Sequence, residues 1–221
     1  MSSTTDVESA APAPSEPGRT ARLSAWAKAH PRWAIAGVTV VALGAAAVAD
    51  WPHQATQGQL QGDLQSYVTQ LRGDVLSCGV EVEETLSAYN QIMAGVSTDR
   101  NTAIGIGDRA ALDCTPAGNA KILDLAAAQP PRSVARYHLE LGAAQLYGWA
   151  SSDAVDAMQD VHQLLLSPGD PARLADLKQR LGDMQQRAAS AQGIFDKAAT
   201  ALGAPSESLS LDAVRPGVLV G

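Results

Sequence analysis

The chain has 221 residues, of which 46% are apolar and 4% aromatic, and its formal net charge is −7. This length suits one domain of ordinary size with extensions, and its alanine- and leucine-rich apolar content favours helices over strands. The residues after Ala49 are acidic on balance. A nucleic-acid partner is therefore not expected, because binding phosphates requires a basic patch.

The first 32 residues predict a disordered cytoplasmic tail with a basic end. Residues 1–20 are mostly Ser, Thr, Ala, Pro and Glu, which cannot bury enough apolar surface to offset the entropy of ordering. Basic residues then lie between Arg19 and Arg32.

A charge-free segment, Trp33 to Ala49, follows and predicts a single transmembrane helix. As a helix it would be about 25 Å long, near the lower limit for crossing a bilayer. Trp33 and Trp51 bracket it, as residues of an interfacial aromatic belt do. Lys and Arg flank only its N-terminal side, and the next one downstream is Arg72. The positive-inside rule then places the N-terminus in the cytoplasm and the rest of the chain outside.

The same segment has two other interpretations. The small residues of Ala47-Val48-Ala49, and a run rich in Ala and Gly, are typical of a signal peptide cleaved after Ala49. Against cleavage, the region before the segment is long for a signal peptide, and the paired tryptophans favour an anchor. A buried soluble helix is disfavoured because such helices seldom lack charge over this length. We expect an anchored protein. The domain after the segment is exported whether the segment is an anchor or a cleaved signal peptide.

Residues 50–203 predict an extracytoplasmic helical bundle. A first long helix is indicated by apolar residues recurring at steps of three and four from Leu60 to Met93, and Gly95 ends it. A weaker helix follows over 98–114, loosened by Gly105 and Gly107. Thr115-Pro116 has the pattern of an N-cap with proline at the first helical position. It predicts a short helix through Ala128, which Pro130-Pro131 stops.

A third long helix is predicted from Ser133 to Leu166, in which Gly142 and Gly148 either soften the helix or allow close helix contact. Asp170-Pro171 starts the last helix, and Gly203 ends it. Its apolar residues repeat every 3.5 residues, as in a coiled coil, which predicts packing within a bundle. The repeating residues are Leu174, Leu177, Leu181, Met184, Ala188, Ala191, Phe195, Ala198 and Leu202.

The predicted fold is therefore all-α. Three long helices and shorter helical segments form an antiparallel up-and-down bundle behind the N-terminal membrane helix, because short turns between long helices imply antiparallel neighbours. No alternating run is long enough for a strand; the nearest is Val218-Leu219-Val220. Residues 204–221 are expected to form a flexible C-terminal tail.

The chain has two cysteines, Cys78 and Cys114, which are 36 residues apart. In an exported domain such a pair predicts a structural disulfide; free buried thiols and an intermolecular bridge are the alternatives. Metal binding is not expected, because no further Cys or nearby His completes a tetrahedral site. Redox catalysis would require a Cys-x-x-Cys arrangement, which is absent from the sequence.

Other patterns do not indicate a site. Gly105 to Ala110 matches G-x-G-x-x-A, but no strand is predicted before it, as a dinucleotide site requires. His138 and Glu140 would point to different faces of a helix. The acidic groups Glu81, Glu83 and Glu84, and Asp153, Asp156 and Asp160, are interpreted as solvated helix faces. The cluster Tyr137, Tyr147 and Trp149 is interpreted as core packing, with a partner or ligand groove as the alternative.

These features predict no catalytic residue, cofactor or metal. We expect a membrane-anchored module of a bacterial cell envelope that acts through a protein partner or through self-association. The alternatives are a ligand-sensing or ligand-binding helical ectodomain, and a secreted form that begins after Ala49.

Overall fold

The computed structural model describes residues 55–211 and 214–219, and within them every regular element is helical, with no strand. The expected membrane segment Trp33–Ala49 and the tail before it lie outside the described residues. Of the helices that are described, none is both long and apolar enough to cross a membrane. The all-α prediction is confirmed for this part of the chain.

Helix α1, Gln57–Met93, has 37 residues and is about 55 Å long. It begins with a capping box, in which the Thr56 hydroxyl accepts from the Gln59 amide and the Gln59 side chain accepts from the Thr56 amide. The predicted apolar stripe is buried from Leu60 to Tyr89, and its last residue, Met93, is partly buried against the same core. The helix ends before Gly95, whose φ of +71° suits a residue without a side chain.

Helix α2, Arg100–Asp113, is capped by the Asp99 carboxylate. It contacts α1 closely at Gly107, where a Cβ would lie 3.2 Å from the Thr85 methyl carbon. The G-x-G-x-x-A pattern therefore lies inside a helix and contributes to helix packing, not to a phosphate-binding loop.

Helix α3, Ala120–Ala127, begins later than the sequence predicts. Its N-cap is Asn119, whose side chain accepts from the Lys121 amide. The predicted cap, Thr115, instead closes the end of α2: its hydroxyl donates to the Leu112 carbonyl at 2.7 Å and accepts from the Gly118 amide. The prediction of a cap at Thr115 was wrong because a threonine hydroxyl can satisfy the end of one helix as well as the start of another.

The third long segment is not one helix from Ser133, as predicted. A short 3-10 turn, Ala135–Tyr137, precedes helix α4, Leu139–Gly148. His138 separates them with a left-handed backbone, φ +54°. A π-helical segment, Trp149–Ala154, then joins α4 to helix α5, Val155–Leu166.

Helix α6, Pro171–Leu202, begins and ends as predicted. The Asp170 side chain accepts from two amides of its first turn, and Gly203 ends it with φ +60°. Seven of the nine predicted repeat positions are buried, and Leu174 and Ala188 are partly buried against the same core. Gly142 of α4 lies directly against the Phe195 ring of α6. Of the two roles predicted for that glycine, the structure shows close helix contact.

The last described residues pack on the bundle and are here called the C-terminal strap (204–211 and 214–219). The strap has little regular structure apart from the 3-10 turn Pro216–Val218, but Leu209, Leu211 and Val214 are buried. It follows α1 from Thr69, which donates to Glu207, to Asn90, which donates to the Val218 carbonyl. The packed part of the chain therefore extends beyond the predicted boundary at residue 203.

Candidate interaction surface

The two cysteines join α1 to the end of α2. Cys78 lies in the middle of α1 and Cys114 is the C-cap of α2; their Cα atoms are 4.9 Å apart and the side chains form a disulfide. Both cysteines are fully buried. The structure thus contains the intramolecular pair that the sequence predicts, and it leaves no described cysteine free.

A row of ion pairs, here called the ion-pair ladder, connects the π-helical segment and α5 to α6. Its basic members are spaced seven residues apart along α6, so they lie on one face of that helix. The acids that come earlier in the chain pair with the arginines that come later on α6, and the reverse holds for the last acid. This order shows that α5 and α6 run antiparallel. The ladder consists of Asp153, Asp156 and Asp160 with Arg173, Arg180 and Arg187.

Asp160 is the most buried acid of the ladder, with a side chain only 9% exposed. Its two oxygens accept from Arg173 at 3.1 Å and from Arg180 at 2.7 Å. Burial alone would lower the pKa of Arg180, but the hydrogen bond to Asp160 and the nearby carboxylates outweigh it and raise the pKa. The interpretation of this acidic group as a solvated face was wrong for Asp160, since the long arginine side chains of α6 cover it.

We expect Asp160→Ala to lower the free energy of unfolding by about 2 kcal/mol. The substitution removes the buried carboxylate and with it two charge-assisted hydrogen bonds. Asp156→Ala is the matched control: Asp156 lies on the same helix and also binds Arg180, but its side chain is 43% exposed. Its loss should cost less than about 1 kcal/mol. Urea unfolding of both variants measures the difference, and equal effects would show that burial does not strengthen the ladder.

An open groove, here called the apical groove, lies between the C-terminal half of α1 and the end of the strap. Its volume is about 450 Å³. Leu86 forms part of the α1 wall and Val218 belongs to the strap wall, while Ala94 and Val96 lie just beyond the end of α1. Val96 is 76% exposed, the highest value among the exposed large apolar side chains of the described residues. The groove thus presents apolar surface to solvent.

The groove also carries one charge of each sign. Glu83 lies on the α1 wall and Arg215 on the strap wall, and neither forms an ion pair with a described residue. Leu76 and Val80 precede Glu83 at steps of four and three, which places them on the same face of α1. They are 36% and 54% exposed, so the apolar surface continues along α1 beyond the groove.

The aromatic cluster of the sequence lies elsewhere. Trp149 is fully buried, and Tyr137 and Tyr147 pack against the core. The apical groove could not be predicted from the sequence, because one of its walls is formed by Arg215 and Val218 of the strap, far from α1 in the chain. The exposed apolar residues Leu76 and Val80 were the available signal, since they lie off the buried stripe of α1 and have no packing role there.

The two histidines among the described residues, His138 and His162, each lie beside a carboxylate. Nδ1 of His162 lies 2.6 Å from an Asp108 oxygen, which links α5 to α2. His138 lies 3.2 Å from Glu140, so the prediction that they point apart was wrong; His138 precedes the helix and its left-handed backbone turns it back. No group of three potential metal ligands occurs among the described residues.

Asp74 on α1 has one buried carboxylate oxygen without a hydrogen-bond partner among the described residues. Burial raises the pKa of Asp74, the Asp124 charge raises it further, and Lys121 opposes the shift. A raised pKa in the folded state means that ionised Asp74 destabilises the fold. This penalty is absent below the unfolded-state pKa and is fully present once the pH exceeds the folded-state pKa.

We therefore expect Asp74→Asn to raise the free energy of unfolding at pH 7 by less than about 1 kcal/mol, which is the size of effect typical of partly exposed charges. The gain should shrink as the pH falls toward the unfolded-state pKa, where the wild-type carboxyl is also neutral. Denaturant unfolding at several pH values measures it, with Asp113→Asn, the same substitution at the end of α2, as the control. A gain that does not change with pH would contradict the electrostatic cause.

Taken together, fold and surface define a disulfide-linked, all-helical domain with an exposed apolar groove. No protein-family model matches the chain, and no curated protein or solved structure is significantly similar to it.

Proposed function

We propose that this chain is an exported, membrane-anchored interaction module of the cell envelope. In this proposal Trp33–Ala49 is the anchor, the N-terminus is cytoplasmic, and residues 50–203 with the strap form an up-and-down helical bundle outside the membrane. The bundle acts by binding, not by catalysis.

The observation that carries the proposal is the buried disulfide between Cys78 and Cys114. Structural disulfides persist in oxidising compartments and are rare where glutathione and thioredoxin keep thiols reduced. Export also agrees with the basic residues before a charge-free segment of membrane-spanning length. Two independent features, one chemical and one topological, therefore support the same location.

The apical groove supports a binding role. Val96 in the groove and Val80 on the adjoining face of α1 are exposed apolar residues, and a partner would remove the cost of their contact with water. Charged residues at its edges fit the anatomy of protein interfaces, in which an apolar centre is surrounded by a polar rim.

Reporter fusions at the C-terminus of the full chain test the location. A reporter that is active only outside the cytoplasm should be active, and a reporter that is active only inside should be silent. The matched control replaces Val40 and Val41 by arginine, which should prevent insertion because charges at a membrane-helix centre are costly. Activity of the inside reporter on the unchanged chain would contradict export, and with it the proposed envelope role.

Mass determination on fractionated cells separates the anchored form from the secreted alternative. We expect to find the full-length protein in the membrane fraction. Its mass should be two daltons lower than that of the reduced chain, because one disulfide removes two hydrogen atoms. A soluble protein whose mass begins at Asp50 would instead support cleavage after Ala49.

A ligand-binding ectodomain is the second candidate, because the volume of the apical groove, about 450 Å³, is within the range of small-molecule sites. A small amphiphile could bind its apolar wall and pair with Arg215. Native mass spectrometry of the purified chain distinguishes the candidates: a co-purifying small molecule that Val96→Glu removes would favour a ligand-binding role.

A further inference from the structure

We propose that the occupant of the apical groove is a second copy of this chain, bound around a two-fold axis. Glu83 of each copy then pairs with Arg215 of the other. This inference deepens the proposed function, because it rests on the groove being the binding surface of the module.

The charges of the groove are self-complementary. Glu83 lies on the α1 wall and Arg215 on the strap wall, and each lacks an ion-pair partner within the described residues. In a two-fold interface, a contact between residue i and residue j occurs twice, once in each direction. Glu83 and Arg215 have opposite charges and lie at different positions of one patch, so a second copy gives each of them an ion-pair partner. A partner with charge of a single sign would satisfy only one of them.

The arginines of the ion-pair ladder, in contrast, are already paired. Arg173, Arg180 and Arg187 all bind carboxylates of the ion-pair ladder. Arg215 lines the apical groove together with the apolar residues Val218 and Val96. The combination of an unpaired cation, an unpaired anion and exposed apolar side chains on one face distinguishes this surface from the ladder.

Membrane anchoring would favour such a pairing. Two copies held in one membrane meet at a much higher effective concentration than two free proteins, so a small interface is sufficient. The net charge of −7 opposes association, but at physiological salt charges more than about 8 Å apart are largely screened. Close pairs at the interface are screened less and determine the geometry of the dimer.

Sedimentation of the full chain in detergent, over a range of protein concentrations at physiological salt, tests the inference. We expect a monomer–dimer equilibrium. Glu83→Arg and Arg215→Glu should each raise the dissociation constant at least about tenfold, because each places like charges together twice. The double variant Glu83→Arg/Arg215→Glu exchanges the signs and should restore the dissociation constant to within about threefold of the original.

Glu81→Arg makes the same charge change on another face of α1 and should leave the dissociation constant unchanged. Circular dichroism and thermal unfolding show whether each variant remains folded, and the sign-exchanged double variant keeps the test valid if a single variant is unstable. A monomer at all concentrations would overturn the inference, and so would a dimer that neither single variant weakens. Either result leaves the reporter and mass tests of export unaffected, so failure of this inference is distinguishable from failure of the proposed function.

Discussion

Replacing Cys78 and Cys114 together by alanine is expected to lower the free energy of unfolding by about 3–4 kcal/mol, the largest loss that we predict for this protein. The bond closes a loop across 36 residues, and its removal enlarges the ensemble of unfolded conformations. It also releases the end of α2, whose glycines weaken it as an isolated helix. Denaturant unfolding of the wild type and the double variant measures the loss.

Reductant provides the internal control for this experiment. Reducing the wild type should destabilise it by a similar amount, whereas the alanine variant should not respond, because it has no disulfide to reduce. Hydrogen exchange should then show faster opening of α2 than of α6, since only α2 loses its covalent link to α1. A wild type that is equally stable with and without reductant would contradict a structural role of the bond.

Gly142→Ala is expected to cost about 2–3 kcal/mol, although alanine is the better helix former. A Cβ at this position would lie 2.5 Å from two ring carbons of Phe195. The ring is 2% exposed, so either this buried ring or the packing of α4 against α6 must shift to admit the Cβ. Thermal or denaturant unfolding measures this overpacking.

Two variants show whether the ring is the cause. Gly193→Ala is the matched control, because nothing lies within 4 Å of a Cβ there, and it should stabilise α6 by up to about 1 kcal/mol. Phe195→Leu should lose less stability in the Gly142→Ala background than in the wild type, because the smaller side chain relieves the overlap. Additive effects of the two substitutions would rule out their direct contact.

Helix starts that depend on neighbours in the chain could be predicted from the sequence. Asp170 and Pro171 determine the first turn of α6 through local hydrogen bonds and a preset φ. The role of Thr115 could not be predicted in the same way, because a threonine hydroxyl can satisfy the end of one helix or the start of the next, and the sequence does not show which. The π-helical segment Trp149–Ala154 was also missed, since its pattern of apolar residues does not differ from that of an α-helix.

By itself, the sequence determined the all-helical class and the apolar faces of α1 and α6, because periodicity and caps act locally. It favoured a disulfide between Cys78 and Cys114 but left free thiols and an intermolecular bridge open. Only the tertiary structure decided what lies against those faces. The strap covers part of α1, Asp160 is buried by arginines, and Glu83 and Arg215 meet at one groove although 132 positions separate them. Such contacts join residues distant in the chain, and no local pattern encodes them.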